Sequence, residues 1–198
     1  MRSAGDRAPH GLKIAAGAGL LFLPKVDGAE ELRIAEAVLA EARCPMGLMA
    51  LIETVAGLEN VASIAAATPR LDAIMFGAVD LAAELGCDLA WEPLLYARSR
   101  IVHAARQAGI DAIDVPSLAI RNAEVIEAEA RRARALGFTG KAVLHPADVA
   151  AVNTAFSPSP EEADAARRVV AAFEASATGL VVLDGKLGEK PVFRKMEQ

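Results

Sequence analysis

The chain has 198 residues, 54% of them hydrophobic, and 21 Lys and Arg against 26 Asp and Glu give a net charge of −5. That is enough apolar material for one domain with a substantial core. The acidic balance, the lack of a dense basic stripe and an aromatic content of 4% exclude a nucleic-acid surface built on phosphate contacts and base stacking.

Residues 1–12 carry Gly, Pro and charge without periodicity, and the sequence predicts them to be disordered. An apolar stretch over 14–23 follows Arg2, Arg7 and Lys13, superficially like a secretory leader. Asp6 within the basic region argues against one, as does Pro24-Lys25-Val26 where a small-x-small cleavage site belongs. The stretch is also too short to span a bilayer. Residues 20–25 therefore read as a core strand of a cytoplasmic protein with no membrane partner. Residues 29–43 read as a helix, with Leu32, Ala35, Val38, Leu39 and Ala42 at three- and four-residue steps and acids early. Cys44-Pro45 stops it.

A strand over 47–53 follows, then a helix over 58–67, stopped near Pro69. A strand over 73–76 leads through Gly77 to a short helix over 81–85, with Gly86 as its C′ residue. The longest helix is predicted over 91–108, closed by Gly109, and a strand over 110–115 runs into Pro116. A helix over 123–136 closes on Gly137. A strand over 141–144 and a short helix over 146–155 end the regular pattern. Ser159, Pro160 and Glu162 suit the N-cap, N1 and N3 positions of a further helix reaching about residue 177. A strand-like run over 180–183, a turn at Asp184-Gly185 and a charged tail extending from 186 to 198 complete the chain.

Five of the apolar runs end in a polar residue: Lys25, Glu53, Asp80, Asp114 and His145, spaced 27 to 34 residues apart. Strand, helix, strand at that spacing is the rhythm of a parallel β/α protein whose crossover helices cover both faces of the sheet. Such folds carry their chemistry at the C-terminal ends of the strands. An eight-stranded barrel takes about 250 residues, so the chain is either an open five-stranded sheet or a barrel lacking three β/α units. The expected organisation is a partial barrel over 1–156 and a C-terminal helix with a lid-like extension over 157–198.

Glu53 and Asp80 end successive strands, and neighbouring strands lie about 4.8 Å apart. Two hard oxygen donors with open positions suit Mg²⁺, which keeps several sites for water or substrate oxygens. The alternative is that each carboxylate caps the following helix, as Asp80 before Leu81-Ala82-Ala83 can. The residues alone leave both open. His145 before Pro146 reads as a structural turn, and His103 as a helix-surface or packing residue. His10 carries no chemistry. Arg98 and Arg100 read as partners in helix-face ion pairs or as a cover for the barrel bottom. Cys44 and Cys87 match no metal or redox spacing and read as buried, reduced thiols. Gly17-Ala18-Gly19 precedes no helix start and is not a phosphate loop.

The strings LPKVDGAEEL, ALIETVAGLENVASIAAATPRLDAIMFGAVDLAAELG, YARSRIVHAARQAGIDAID, ARALGFTGKAVLHPADVAAVN and FSPSPEEADAARRVVAAFE resemble the citrate lyase β-subunit-like (HpcH/HpaI aldolase) family. The resemblance runs from about Leu20 to Pro191. It implies a (β/α)8 TIM barrel, here without its first three β/α units, that binds Mg²⁺ and makes or breaks a C–C bond in a 3-hydroxy-acyl-CoA. It also implies a homo-oligomer, a trimer or hexamer. By this resemblance Glu53 is a metal ligand that also contacts substrate, and Asp80 is the second metal ligand. Glu189 stands where relatives carry a catalytic aspartate lent to a neighbouring subunit. The implied reaction cleaves a citramalyl-, malyl- or citryl-CoA type thioester to acetyl-CoA and a 2-oxo acid. The alternatives are an inactive remnant or subunit of the family, and an aldolase acting on free 2-oxo acids. Relatives carry an arginine for the substrate carboxylate on one of the three strands that precede this pattern.

Overall fold

The computed structural model describes residues 19–174, 176, 181–183 and 186–188, the last two segments by their backbone alone. The disorder expected over 1–12 falls outside these residues. The chain separates into two compact units, Met1–Phe156 and Ser157–Gln198.

In the first unit, β1 (Leu20–Leu23), β2 (Gly47–Ile52), β3 (Leu71–Phe76), β4 (Asp111–Asp114) and β5 (Gly140–Lys141) form one sheet. All four pairings are parallel and the strand order is β1-β2-β3-β4-β5. The connections are α1 (Ala29–Glu41), the short α2 (Val55–Glu59) and α3 (Val61–Ala65), then α4 (Ala78–Leu85) with α5 (Leu95–Ala108), and α6 (Ala123–Leu136). After β5 come a 3-10 turn, Pro146–Asp148, and α7 (Val149–Phe156).

Each strand lies beside its predecessor, without the reversal of a doubly wound sheet. Right-handed crossovers that always step the same way place their helices on one face. Burial agrees. Leu48, Ala50 and Ile52 of β2 are buried in one cluster with Leu32 and Leu39 of α1 and Ile64 of α3, whereas the alternating Gly47, Met49 and Leu51 are half-buried. The expectation of helices on both faces is corrected by this one-way winding.

Several boundaries move for local reasons. β1 stops at Leu23 because Pro24 follows and Lys25 takes a left-handed φ of 49°. The helix expected over 58–67 begins three residues earlier, at an N-cap where Thr54 accepts from the Gly57 N–H, and it breaks at Asn60 into α2 and α3. Pro93 biases Glu92 away from helix, so α5 starts at Leu95 and not at Trp91. β5 is two residues long, shorter than the expected 141–144. Beyond Ala142, which still donates to the Asp114 carbonyl, the chain turns into the 3-10 segment, capped by His145 Nδ1 accepting from the Ala147 N–H. α4, α5 and α6 close on Gly86, Gly109 and Gly137 at positive φ, where a Cβ would be strained.

In the second unit, α8 (Pro160–Glu174) opens with the expected capping box. The Ser159 N–H donates to the Glu162 carboxylate at 2.9 Å and the Glu162 N–H to Ser159 Oγ at 3.1 Å. α8 ends at Glu174, short of residue 177. β6 (Val181–Leu183) pairs antiparallel with β7 (Lys186–Gly188). The start of the charged tail, residues 186–188, thus pairs back along 181–183; the rest of the tail lies outside the described residues. The two residues between the strands are Asp-Gly, a dipeptide that favours a tight hairpin. No helix among the described residues is long and apolar enough to cross a membrane.

Candidate metal centre

Glu53 directly follows β2, half-buried. Hydrogen bonds tie the loops on both sides to the end of that strand. The Val26 N–H donates to the Leu51 carbonyl at 3.2 Å, and the Gly77 N–H to the Ile52 carbonyl at 2.8 Å. This stitching brings the residues after β1 and β3 to either side of Glu53. The Lys25 N–H donates to Glu53 Oε1 at 3.1 Å, and Lys25 Nζ lies 3.1 Å from Asp80 Oδ2. One lysine therefore touches both carboxylates, through its backbone and through its side chain.

Asp80 does not end the strand as expected. β3 finishes at Phe76, α4 begins at Ala78, and Asp80 lies in the first turn of that helix. There a carboxylate is favoured by the helix dipole, but the N-cap position belongs to Gly77. The carboxylate is instead engaged by Lys25, so the capping alternative fails for Asp80.

Gly77 sits beneath the pair. A Cβ there would come 2.4 Å from Glu53 Cβ and 3.1 Å from Glu53 Oε2, so only glycine leaves the Glu53 side chain where it is. The base of the site is pinned as well. Thr54 Oγ1 donates to Asp27 Oδ1, Asn60 Nδ2 donates to the Asp27 carbonyl at 2.8 Å, and the Val55 N–H donates to Glu84 Oε2 at 3.2 Å.

The electrostatics follow from this geometry. Burial pushes the Glu53 carboxyl above its usual range, the charge of Asp80 adds to the effect, and the Lys25 N–H and ammonium oppose it. The hydrogen bond and charge of Asp80 hold the Lys25 ammonium above its ordinary value. Glu53 and Asp80 fit a hard divalent cation on two observations. Asp80 already holds a cation, the ammonium of the residue whose backbone bonds Glu53, and a glycine keeps the space beside Glu53 free. Among the described residues no group of three or more His, Cys, Asp or Glu is placed to hold a metal ion, so Glu53 and Asp80 alone would supply the protein's ligands.

The other strand-end residues divide differently. Asp114 is buried on the helix-covered face, 2.8 Å from Lys141 Nζ and 3.2 Å from Arg98 Nε. Arg98 was expected in a helix-face ion pair or as a cover for the barrel bottom; it does make an ion pair, with Asp114. It is buried, stacked between the rings of Phe76 and Trp91 at 4.8 and 4.5 Å. Arg100 donates to the Glu59 carbonyl at 3.1 Å. His145 caps a turn, as expected, and its Nε2 lies 3.2 Å from an Arg121 nitrogen. His103 is exposed on α5. Cys44 and Cys87 are free and partly buried. A cavity lined by Thr68, Leu71, Asp72 and Ile110 lies at the start of β3 and β4, the opposite end from Glu53. Glu189 lies outside the described residues.

Two members of the site escaped the sequence. Lys25 held the same place in the repeat as Glu53, which was its only mark, and Gly77 read merely as a turn.

Comparison with known proteins places these features. The mitochondrial citramalyl-CoA lyase of Mus musculus is 34% identical over 170 residues, 78% of this chain and 50% of that protein. The (3S)-malyl-CoA thioesterase of Cereibacter sphaeroides is 37% identical over 179 residues, 88% of this chain and 61% of that one. The chain thus spans between half and about three fifths of these relatives. The crystal structure of CitE from Mycobacterium tuberculosis in complex with magnesium, acetoacetate and coenzyme A matches at a TM-score of 0.75 and 34% identity, covering 91% of this chain and 67% of that one. The model of the HpcH/HpaI aldolase/citrate lyase family matches residues 6–146. With the one-way parallel sheet and the carboxylates at its C-terminal rim, that match establishes that the chain belongs to the HpcH/HpaI aldolase/citrate lyase family.

Proposed function

We propose that this chain carries the metal site of a Mg²⁺-dependent carbon–carbon lyase acting on a 3-hydroxy-acyl-CoA of the citramalyl, malyl or citryl type. The observation that carries the proposal is that Glu53 and Asp80 meet at one residue of the rim, Lys25, whose backbone N–H bonds Glu53 and whose ammonium pairs with Asp80. The CitE neighbour with magnesium and coenzyme A supports the ion and the thioester class, and the citramalyl-CoA lyase relative supports the reaction.

Glu53 and Asp80 hold the ion. When bound, Mg²⁺ supplies Lewis acidity to the substrate oxygens and offsets developing negative charge. Glu53, fixed by the Lys25 N–H, also presents an oxygen toward the substrate. Glu189, on a neighbouring subunit of a trimer or hexamer, is the proposed proton carrier. It accepts the hydroxyl proton as the bond to the carbon α to the thioester breaks. A proton delivered to that carbon then gives acetyl-CoA, and the other fragment leaves as a 2-oxo acid. The remaining barrel strands of the family would close the sheet around this site.

The test is Mg²⁺-dependent release of acetyl-CoA from citramalyl-CoA and malyl-CoA, alongside Mg²⁺ binding by calorimetry. Both are expected in the native chain and lost in Glu53→Gln. Free coenzyme A in place of acetyl-CoA would favour thioester hydrolysis, a second reading supported by the malyl-CoA thioesterase relative. Glu53-dependent Mg²⁺ binding without turnover would mark the chain as a non-catalytic member. Neither binding nor turnover would sink the proposal.

A further inference from the structure

Lys25 belongs to no strand or helix, and its side chain is 64% exposed. An ion pair as exposed as Lys25–Asp80 adds little to stability. The residue holds a left-handed φ of 49°, a conformation that strains a non-glycine residue. That strain aims the backbone N–H at Glu53 and leaves the ammonium on Asp80. The turn itself has a folding role, since it buries Val26 and lets its N–H reach the Leu51 carbonyl; what folding leaves unassigned is the exposed ammonium, held on the rim that carries both carboxylates.

Resting on the metal site proposed above, we propose that Lys25 is a third functional group of that site, a tethered cation that yields Asp80 to the divalent ion and then binds the substrate's carboxylate. Two positive charges cannot share Asp80 without mutual repulsion, so ammonium and ion compete for it. The Lys25 backbone stays anchored to Glu53 while its four-carbon stem, already exposed, is free to turn. The anionic group within its reach is then a carboxylate of a ligand seated against the ion. An ammonium there makes a charge-assisted hydrogen bond and gives the site a preference for 2-oxo acids and their adducts over neutral carbonyl compounds.

The experiment is calorimetry on the full chain with MgCl₂ alone, then with pyruvate added to the Mg²⁺-saturated protein, for the native chain, Lys25→Met and Lys25→Arg. Glu53→Gln is the control. Lys25→Met keeps the stem and removes the charge. It is expected to bind Mg²⁺ about 5-fold or more tightly, because the competing charge is gone. It is also expected to bind pyruvate about 10-fold or more weakly, with Lys25→Arg restoring most of that loss. Opposite shifts in the two affinities support the proposal, because a purely structural lysine would move both the same way or neither. Unchanged Mg²⁺ affinity in Lys25→Met overturns it while leaving the metal site standing, provided Glu53→Gln abolishes Mg²⁺ binding. Unchanged pyruvate affinity, or no pyruvate binding to the native chain, overturns it too. No Mg²⁺ binding to the native chain overturns this inference and the proposed function together.

Discussion

Gly77 is the residue on which the Glu53 geometry depends most directly, since an added Cβ would meet Glu53 Cβ at 2.4 Å. Gly77→Ala is expected to cost about 1–3 kcal/mol, as overpacking does, and to weaken Mg²⁺ binding because the displaced group is Glu53 itself. Urea denaturation and calorimetry on the same variant read the two effects. The raised pKa of Glu53 has its own signature. The folded chain binds this proton more tightly than the unfolded one, so the stability it contributes is present below the ordinary carboxylate value and is lost as pH rises through the raised one. Subtracting the urea midpoints of Glu53→Gln from those of the native chain across that window should show this fall. Mg²⁺ binding should run the other way, weakening as pH drops through the raised value, because the ion needs the carboxylate charged.

At the scale of elements, β4, α5 and β5 are joined by charge as well as by apolar packing. Asp114 stands between Arg98 and Lys141, all three buried, and Lys141 also donates to the Val115 carbonyl at 2.7 Å. Asp114→Ala removes the carboxylate that the two buried cations share, leaving Lys141 only Glu129 at 3.5 Å, and is expected to cost about 3–5 kcal/mol. Differential scanning calorimetry checks this. The comparison with Glu53 is instructive. Both acids follow apolar runs and look alike in the repeat, yet one lies on the rim and the other behind the sheet. In parallel strands the pleat turns alternate residues to opposite faces. A shift of one position in where a strand ends therefore decides whether its acid meets ligand or helix. The run GIDAIDVP carries no mark of that choice.

Over the whole molecule, stability should follow the depth of pairing. β2 and β3 are six residues each and paired on both sides, whereas β5 has two residues and, among the described residues, one neighbour. Hydrogen exchange is expected to be slowest at the amides of Leu48–Ile52 and Ile74–Phe76 and markedly faster at Lys141 and Ala142. Equal protection across the sheet would contradict this gradient.

The sequence by itself determined the elements and their order. Apolar periodicity placed the strands and most of the helices, glycine at C′ closed three of them, and the Ser159–Glu162 capping box opened another. These are effects within a turn or two of chain, where propensity and capping act directly. The spacing of Glu53 and Asp80, with the IET and FGAVD strings, marked the rim. What only the tertiary structure decided was which face each side chain serves. The one-way strand order put the helices on a single face, sent Asp114 and Arg98 into the core, and placed Lys25 across Glu53 and Asp80. The helix start at Ala78, set by the turn at Gly77, moved Asp80 from a strand end to a helix's first turn. Apart from that local helix start, those outcomes depend on contacts between residues 16 to 55 positions apart in the chain, and no local pattern encodes which of several equally polar strand ends will meet.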